Sequence, residues 1–272
     1  MKLKNIMENY DEENRKYKDK INNGYINFPL LRLFYGKKFI KLYLKITKNK
    51  NIDISHLVNS MSLNRIHNFN IDFEYNNNKD NIENINEYLN LLFTKNKCKL
   101  EDIYEQNRIL NNLDLSPGLY KIEKNTKNFD LNTNIISLFF NLTGKAPLIN
   151  TLLICNEETN LEEIKAFFFR AIFCEYNSLF LITNLECLPL SITHEVIKIL
   201  YALYSHKKRM INSLLIILYE KDDSGLSKDI RKLIPDKYDF ISTHLKPSKK
   251  INLFKDKKFI HLNLQDMEKQ QK

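Results

Sequence analysis

Short apolar runs alternate with longer segments of helical periodicity in the second half of the chain. Three runs, 151–155, 178–183 and 213–219, are almost continuously apolar, and a further extended piece is predicted over 238–244. Such runs are typical of strands that are buried on both faces. The segments between them are long enough for crossover helices. The pattern predicts an α/β fold with a parallel, doubly wound sheet of three to four strands in this half of the chain.

Helical periodicity also dominates the first half of the chain. The helices predicted on this basis, in both halves, cover 28–47, 54–66, 82–94, 100–110, 132–142, 161–175, 192–207 and 226–233. Strict alternation over 68–75 predicts an edge strand. The tripeptide Ser-Pro-Gly at 116–118 predicts a turn.

These patterns divide the chain into four parts. Residues 1–24 are charged and polar and are predicted to be a disordered tail. Residues 25–147 form a mainly helical segment, and residues 148–245 form the α/β module. Residues 246–272 are predicted to be a basic tail.

The predicted helix over 28–47 is amphipathic, with lysines opposite its apolar stripe. Such a helix suits a membrane surface, an acidic groove on a partner, or the core of its own domain. The core is the commonest of these three uses. Gly36 lies inside the pattern and predicts a kink or a close contact.

Composition narrows the class of protein without assigning a function. The chain has 272 residues and a formal net charge of +9, which suits nucleic acid or an anionic membrane. However, its lysines are spread along the chain among many asparagines, as in proteins from AT-rich genomes, so nucleic acid is not the expected partner. We find neither a secretion signal nor an apolar run that could span a membrane, and we expect a cytoplasmic location.

The residues that usually carry metal or catalytic chemistry are scattered. Cysteines occur at 98, 155, 174 and 187 without a CxxC pair, which favours reduced, mostly buried thiols. The six histidines form no HExxH motif, and neither GxSxG nor GxGxxG occurs. We therefore predict no metal, no cofactor and no catalytic residue.

The loop after the run 151–155 is the candidate phosphate loop, and its residues are unsuited to that task. It consists of Asn156, Glu157, Glu158, Thr159 and Asn160, where GxxxxGK[ST] is required. Thr159 and Glu162 fit a capping box, so the first amides of the next helix are predicted to be satisfied internally. The acidic side chains repel a triphosphate. We interpret this segment as a degenerate phosphate loop.

The run 178–183 occupies the position of a Walker B strand, which ends in an aspartate that holds the metal ion and a neighbouring glutamate. This chain has Thr183 and Asn184 there, and Glu186 is the only nearby acid, so the position is degenerate.

Two other segments near these runs have alternative interpretations. Gly144-Lys145 is not a phosphate loop, because it follows a helix and precedes alanine, and Gly144 is predicted to cap that helix. Glu220, Asp222 and Asp223 follow the third run, where they either line a ligand site or form a solvated acidic loop.

Residues 142–164 (LTGKAPLINTLLICNEETNLEEI) and 168–180 (FFRAIFCEYNSLF) resemble a stretch of the mysterin family. Its members are giant RING-type E3 ubiquitin ligases built around a dynein-like AAA+ core. Residues 28–40 (FPLLRLFYGKKFI) and 118–120 (GLY) are similar to the approach to that stretch. The resemblance covers about residues 28 to 245.

The resemblance implies a degenerate AAA-like module over 148–245, since the ATPase and RING motifs of the family are absent from this sequence. The expected function is a non-catalytic structural or protein-interaction module. Its expected partners are neighbouring modules or another protein, contacted through the apolar faces of 28–47 and 192–204. A residual nucleotide-binding NTPase-like protein and a basic nucleic-acid-binding protein remain the alternatives.

Overall fold

The computed structural model describes residues 2–47, 54–55, 58, 63, 66–69, 71–111, 113, 115–124, 131–207, 212–220 and 225–233. Contacts divide the chain into two compact units. The first comprises Met1–Val58 with Asn64–Leu100, and the second comprises Asn59–Leu63 with Glu101–Lys272. The division therefore falls near residue 100, and not near residue 147 as the sequence predicted.

The first unit is helical in its described part. It contains α1 (Lys2–Asn27), a 3₁₀ helix (Pro29–Leu33), α2 (Gly36–Thr47) and α3 (Asn81–Lys95). The prediction of a disordered tail over 1–24 is wrong, because residues 2–24 belong to α1. The predicted edge strand is also wrong, because residues 68–69 and 71–75 pair with no strand. Most of the helix predicted over 54–66 lies outside the described residues.

The segment 28–47 forms two elements where one helix was predicted. Pro29 begins the 3₁₀ helix, and Gly36 begins α2 with φ at +48°, a conformation that glycine adopts without steric penalty. Its apolar residues form a core face. Leu31 and Leu33 of the first element, and Leu42 of the second, are at most 1% exposed. The face that was predicted to contact a partner is thus largely occupied within the unit itself.

The second unit contains the sheet. The short α4 (Leu100–Tyr104) leads into it and is followed by a 3₁₀ turn, Glu105–Asn107. The remaining elements, in chain order, are β1 (Gly118–Lys124), α5 (Leu131–Thr143), β2 (Leu152–Ile154), α6 (Leu161–Ile172), β3 (Leu179–Thr183), α7 (Leu190–Lys207), β4 (Leu214–Glu220) and α8 (Gly225–Leu233).

The four strands form a parallel sheet in the order β1-β4-β3-β2. This confirms the predicted α/β fold and its parallel sheet. β1 was missed, because the sequence indicated only a turn at 116–118. The strand predicted over 238–244 and the basic tail over 246–272 lie outside the described residues.

Helices pack on both faces of the sheet. On one face, Leu138 and Phe139 of α5 join a core cluster with Tyr120, Leu181 and Ile216 from three strands. Side chains alternate along a strand, so Phe180 points to the opposite face. There its ring centroid lies 6.0 Å from that of Phe167 in α6. Within the described residues, no helix is long and apolar enough to cross a membrane.

Candidate functional site at the carboxyl edge of the sheet

The carboxyl ends of the strands define the edge where a parallel sheet usually binds ligands. Ile154 of β2 pairs with Thr183 of β3, and Thr183 pairs with Leu218 of β4. β4 and β1 continue for two more residues, to the pair Glu220 and Lys124. The segments that follow β1 and β4, 125–130 and 221–224, lie outside the described residues. The loops after β2 and β3 are described in full.

The phosphate-loop position that was assigned to residues 156–160 needs correction. The assignment assumed that the run at 151–155 was the first strand of the sheet. The structure contains an earlier strand, β1, so residues 156–160 follow the second strand. The first strand-to-helix turn, which carries the phosphate-binding loop in folds of this kind, is the segment 125–130 between β1 and α5. Residues 156–160 instead form a neighbouring loop of the same edge.

The loop after β2 is closed by its own side chains. The Asn156 amide donates to Thr159 Oγ1 at 2.9 Å, and the Thr159 hydroxyl donates to Asn156 Oδ1 at 3.0 Å. The Glu158 amide donates to the same Asn156 oxygen at 2.9 Å. Thr159 is only 4% exposed, whereas Glu157 and Glu158 are exposed. Two backbone amides that could face an anion are therefore already bonded within the loop.

The start of α6 is capped, although by a different residue than the one predicted. The N-cap is Asn160, whose Oδ1 accepts the Glu163 amide at 2.9 Å. The predicted pairing of Thr159 with Glu162 is wrong, because the Thr159 hydroxyl bonds back to Asn156. The expectation that the helix start is satisfied internally is confirmed for the Glu163 amide. Glu162 and Glu163 lie in the first turn, where they interact favourably with the helix dipole.

The loop after β3 has amide and hydroxyl groups where a metal-binding carboxylate is needed. Thr183 is fully buried, and its hydroxyl donates to Asn184 Oδ1 at 3.3 Å. Asn184 adopts the left-handed conformation with φ at +60°, which reverses the chain at the strand end. Glu186 follows in a 3₁₀ turn, Leu185–Cys187, and is half-buried. Mg²⁺ sites rely on carboxylate and phosphate oxygens, and neither Thr183 nor Asn184 supplies a charge.

The other candidate residues have different outcomes. Gly144 has φ at +71°, and its amide donates to the Phe140 carbonyl at 2.9 Å, which confirms it as the cap of α5. Glu220 is the last residue of β4, and Asp222 and Asp223 lie outside the described residues. Across the described ranges, no three His, Cys, Asp or Glu side chains are grouped to hold a metal ion.

The sequence did not predict a cavity at the opposite, amino edge of the sheet. This cavity measures about 400 Å³ and is lined by Glu101, Glu105, Arg108, Pro117, Glu175, Tyr176, Asn177 and Asn212. Burial raises the pKa of the Tyr176 hydroxyl, and the carboxylates of Glu101 and Glu175 raise it further. Its lining comes from four separate segments of the chain, so no local motif could have revealed it. Three carboxylates against one guanidinium make it unsuited to phosphate.

The comparisons with known proteins agree with this description of the sheet. The family model for the RNF213 AAA domain matches residues 126–232. The second unit therefore contains a mysterin-like AAA region. The match begins just after β1 and ends within α8, and so includes β2, β3 and β4. No curated protein and no solved structure matches the chain.

Proposed function

We propose that the second unit acts as a non-catalytic structural or protein-interaction module, the role of a degenerate member among mysterin-like AAA modules. The observation that carries this proposal is the end of β3. There Thr183 and Asn184 hydrogen-bond to each other at 3.3 Å, at the place where an ATPase holds its metal-binding carboxylates. The family match supports the AAA architecture, and the chemistry at the edge supports the loss of activity.

The sequence of the first strand-to-helix turn supports the same proposal. Residues 125–130 read NTKNFD and contain no glycine. A phosphate loop needs glycines so that its backbone amides can approach and surround the phosphates. Lys127 is the only cation in this turn, and a single lysine without the surrounding amides is a weak phosphate site. The motif GxxxxGK[ST] occurs nowhere in the chain.

The surface that α7 exposes supports contact with a protein partner. Leu190 is 85% exposed and Tyr201 is 61% exposed. They are eleven residues apart, which is three helical turns, so they lie on the same side of α7. Val196 and Leu200 are fully buried and pack a different side of α7 against the unit. The apolar face over 192–204 that was predicted to contact a partner is thus occupied within the unit at Val196 and Leu200, and the proposed contact is instead the exposed side that carries Leu190 and Tyr201. A neighbouring module or another protein is the proposed partner.

The test of this function is Mg-ATP hydrolysis by the unmodified chain and by Asn184→Gly. Glycine tolerates the left-handed conformation, so this variant removes the side chain and keeps the backbone. We expect phosphate release by both proteins at the rate of buffer alone. Release that scales with protein concentration and is lost in Asn184→Gly contradicts the proposal. Binding of DNA or RNA with an affinity that falls steeply as the salt concentration rises would instead favour the nucleic-acid alternative.

A further inference from the structure

The last third of helix α1 is fixed to the first unit by several described contacts. The Lys20 ammonium contacts the Asp80 carboxylate at 2.7 Å, and the Tyr25 hydroxyl donates to the Phe34 carbonyl at 3.0 Å. At Gly24, α1 and α3 approach each other so closely that an added Cβ atom would lie 2.8 Å from Ile82 Cγ2. Arg32 donates to two carbonyls at the end of α1 and so fixes its exit.

The described side chains of α1 before Ile21 are largely open to solvent. Every residue from 9 to 20 is exposed except Asn14, which is half-buried. Tyr10 is 67% exposed and Tyr17 is 55% exposed. Most helical stability in proteins comes from covering an apolar stripe, and a short helix with little such cover is marginal in water. The exposed tyrosines are therefore suited to an intermolecular contact that would stabilise this part of the helix.

The two exposed tyrosines belong to a stripe of α1 that has the spacing of a coiled coil and whose other described members, Asn14 and Ile21, are half-buried. Tyr10, Asn14, Tyr17 and Ile21 are separated by four, three and four residues, so they occupy successive d and a positions of a heptad. In the sequence, Leu and Met continue the same spacing at positions 3 and 7. Asn14 is then a single polar residue at an a position. Such an asparagine favours a parallel pair in register, because it faces the same amide of the other helix.

The charges beside the stripe are complementary to a second copy of the same helix. Glu13 takes a g position and Lys18 takes the following e position. In a parallel pair, Glu13 of each helix lies next to Lys18 of the other, which gives two symmetric attractive contacts. Both residues are exposed in the described structure. We propose that α1 pairs with α1 of a second copy of this chain in a parallel, in-register coiled coil.

The first experiment measures the association of the full chain by sedimentation equilibrium, at concentrations up to about 100 µM. We expect a monomer–dimer equilibrium that weakens at least about tenfold in Tyr10→Ala/Tyr17→Ala. Alanine favours the helix, so a loss of association would not reflect melting of α1. The matched control is Arg15→Ala/Asp19→Ala, which alters the outer side of the same helix without changing net charge, and we expect no more than about a twofold change.

The second experiment tests the register by cross-linking. Asn14→Cys places thiols opposite each other in a parallel, in-register pair, whereas Lys16→Cys places them on the outer side. Both are made with Cys187→Ser, because Cys187 is the one exposed native cysteine among the four. Mild oxidation is expected to cross-link the first variant and not the second. A strictly monomeric chain, a dimer that is insensitive to the tyrosine change, or equal cross-linking of both variants would each overturn the proposal.

Discussion

The two edges of the sheet use their polar groups in different ways. At the carboxyl edge, Asn156, Thr159 and Asn160 bond to nearby backbone amides, and Thr183 bonds to Asn184. At the amino edge, carboxylates and a tyrosine hydroxyl surround an open cavity of about 400 Å³. The described loops of the carboxyl edge, where a nucleotide is expected, thus bond to their own backbone, whereas the amino edge has an open cavity. This difference is what we expect if the proposed role as a structural module is correct.

The largest expected effect comes from β3, which connects the two edges. Phe180 is fully buried, and its ring lies 5.7 Å from that of Tyr104 and 6.0 Å from that of Phe167. Phe180→Ala should lower the free energy of unfolding by about 3–5 kcal/mol, because it leaves a cavity in the core. Urea unfolding measures this change. Leu190→Ala, at an exposed position, is the control, and an equal loss in both variants would contradict the described packing.

The next largest effect is expected at the amino edge, where one buried amide organises the approach to β2. The Asn107 side chain donates to the Ala146 carbonyl at 2.9 Å and accepts the Thr151 hydroxyl at 2.7 Å and the Leu148 amide at 3.1 Å. Asn107→Ala should destabilise the fold by about 2–3 kcal/mol, because buried groups lose their partners. Chemical denaturation provides the value. If Asn107→Ala lowered the free energy of unfolding less than Asn160→Ala, described next, the expected order of the two edges would be wrong.

A substitution at the carboxyl edge should lower the free energy of unfolding less, because the hydrogen bonds of this edge are nearer to solvent. Asn160→Ala removes the cap of α6 and should cost about 1 kcal/mol of stability. Asn160→Asp keeps an oxygen that accepts the Glu163 amide and should be close to neutral. The same unfolding measurement compares the three proteins. If Asn160→Asp were as destabilising as Asn160→Ala, the cap would not be the reason for the change.

The smallest expected effect is on the pH dependence of folding stability, through Tyr176 at the amino-edge cavity. Burial and the carboxylates of Glu101 and Glu175 raise the pKa of Tyr176 above its usual value near 10. A raised pKa in the folded state contributes stability below the unfolded pKa, and this contribution is lost as the pH rises through the folded pKa. Tyr176→Phe should therefore reduce the loss of stability above pH 10, as measured by thermal unfolding in alkaline buffers. Glu101→Gln should reduce this loss of stability in part. If Tyr176→Phe lost as much stability above pH 10 as the unmodified chain, Tyr176 would not be its cause.

How far the sequence predicts the fold depends on where each strand lies. β3 and β4 were visible as continuous apolar runs, because helices cover both of their faces. β1 was missed, because it alternates in sequence as GLYKIEK and lies at the end of the described strand order. That omission shifted the phosphate-loop assignment by one strand. The polar composition of residues 2–24 likewise hid α1, since propensity alone does not reveal a helix fixed at one end.

The candidate site was predictable in its chemistry and less so in its geometry. The absence of GxxxxGK[ST] and of an aspartate after β3 is readable from single residues. Which side chain caps α6 depends on a competition among Thr159, Asn160 and their neighbours, and only the folded loop decides it. The amino-edge cavity combines residues from 101 to 212, so the sequence pattern gave no signal for it.

The most direct test of the central claim is thermal unfolding of the chain with and without Mg-ATP. A nucleotide that binds the folded state must stabilise it, by about 2.7 kcal/mol at a hundred times its dissociation constant. Glu157→Ala/Glu158→Ala is the matched variant, because it removes the acidic residues of the loop after β2. We expect an unchanged midpoint for both proteins. A clear, saturable rise in the midpoint of the unmodified chain would contradict this expectation and would restore the carboxyl edge as a nucleotide site.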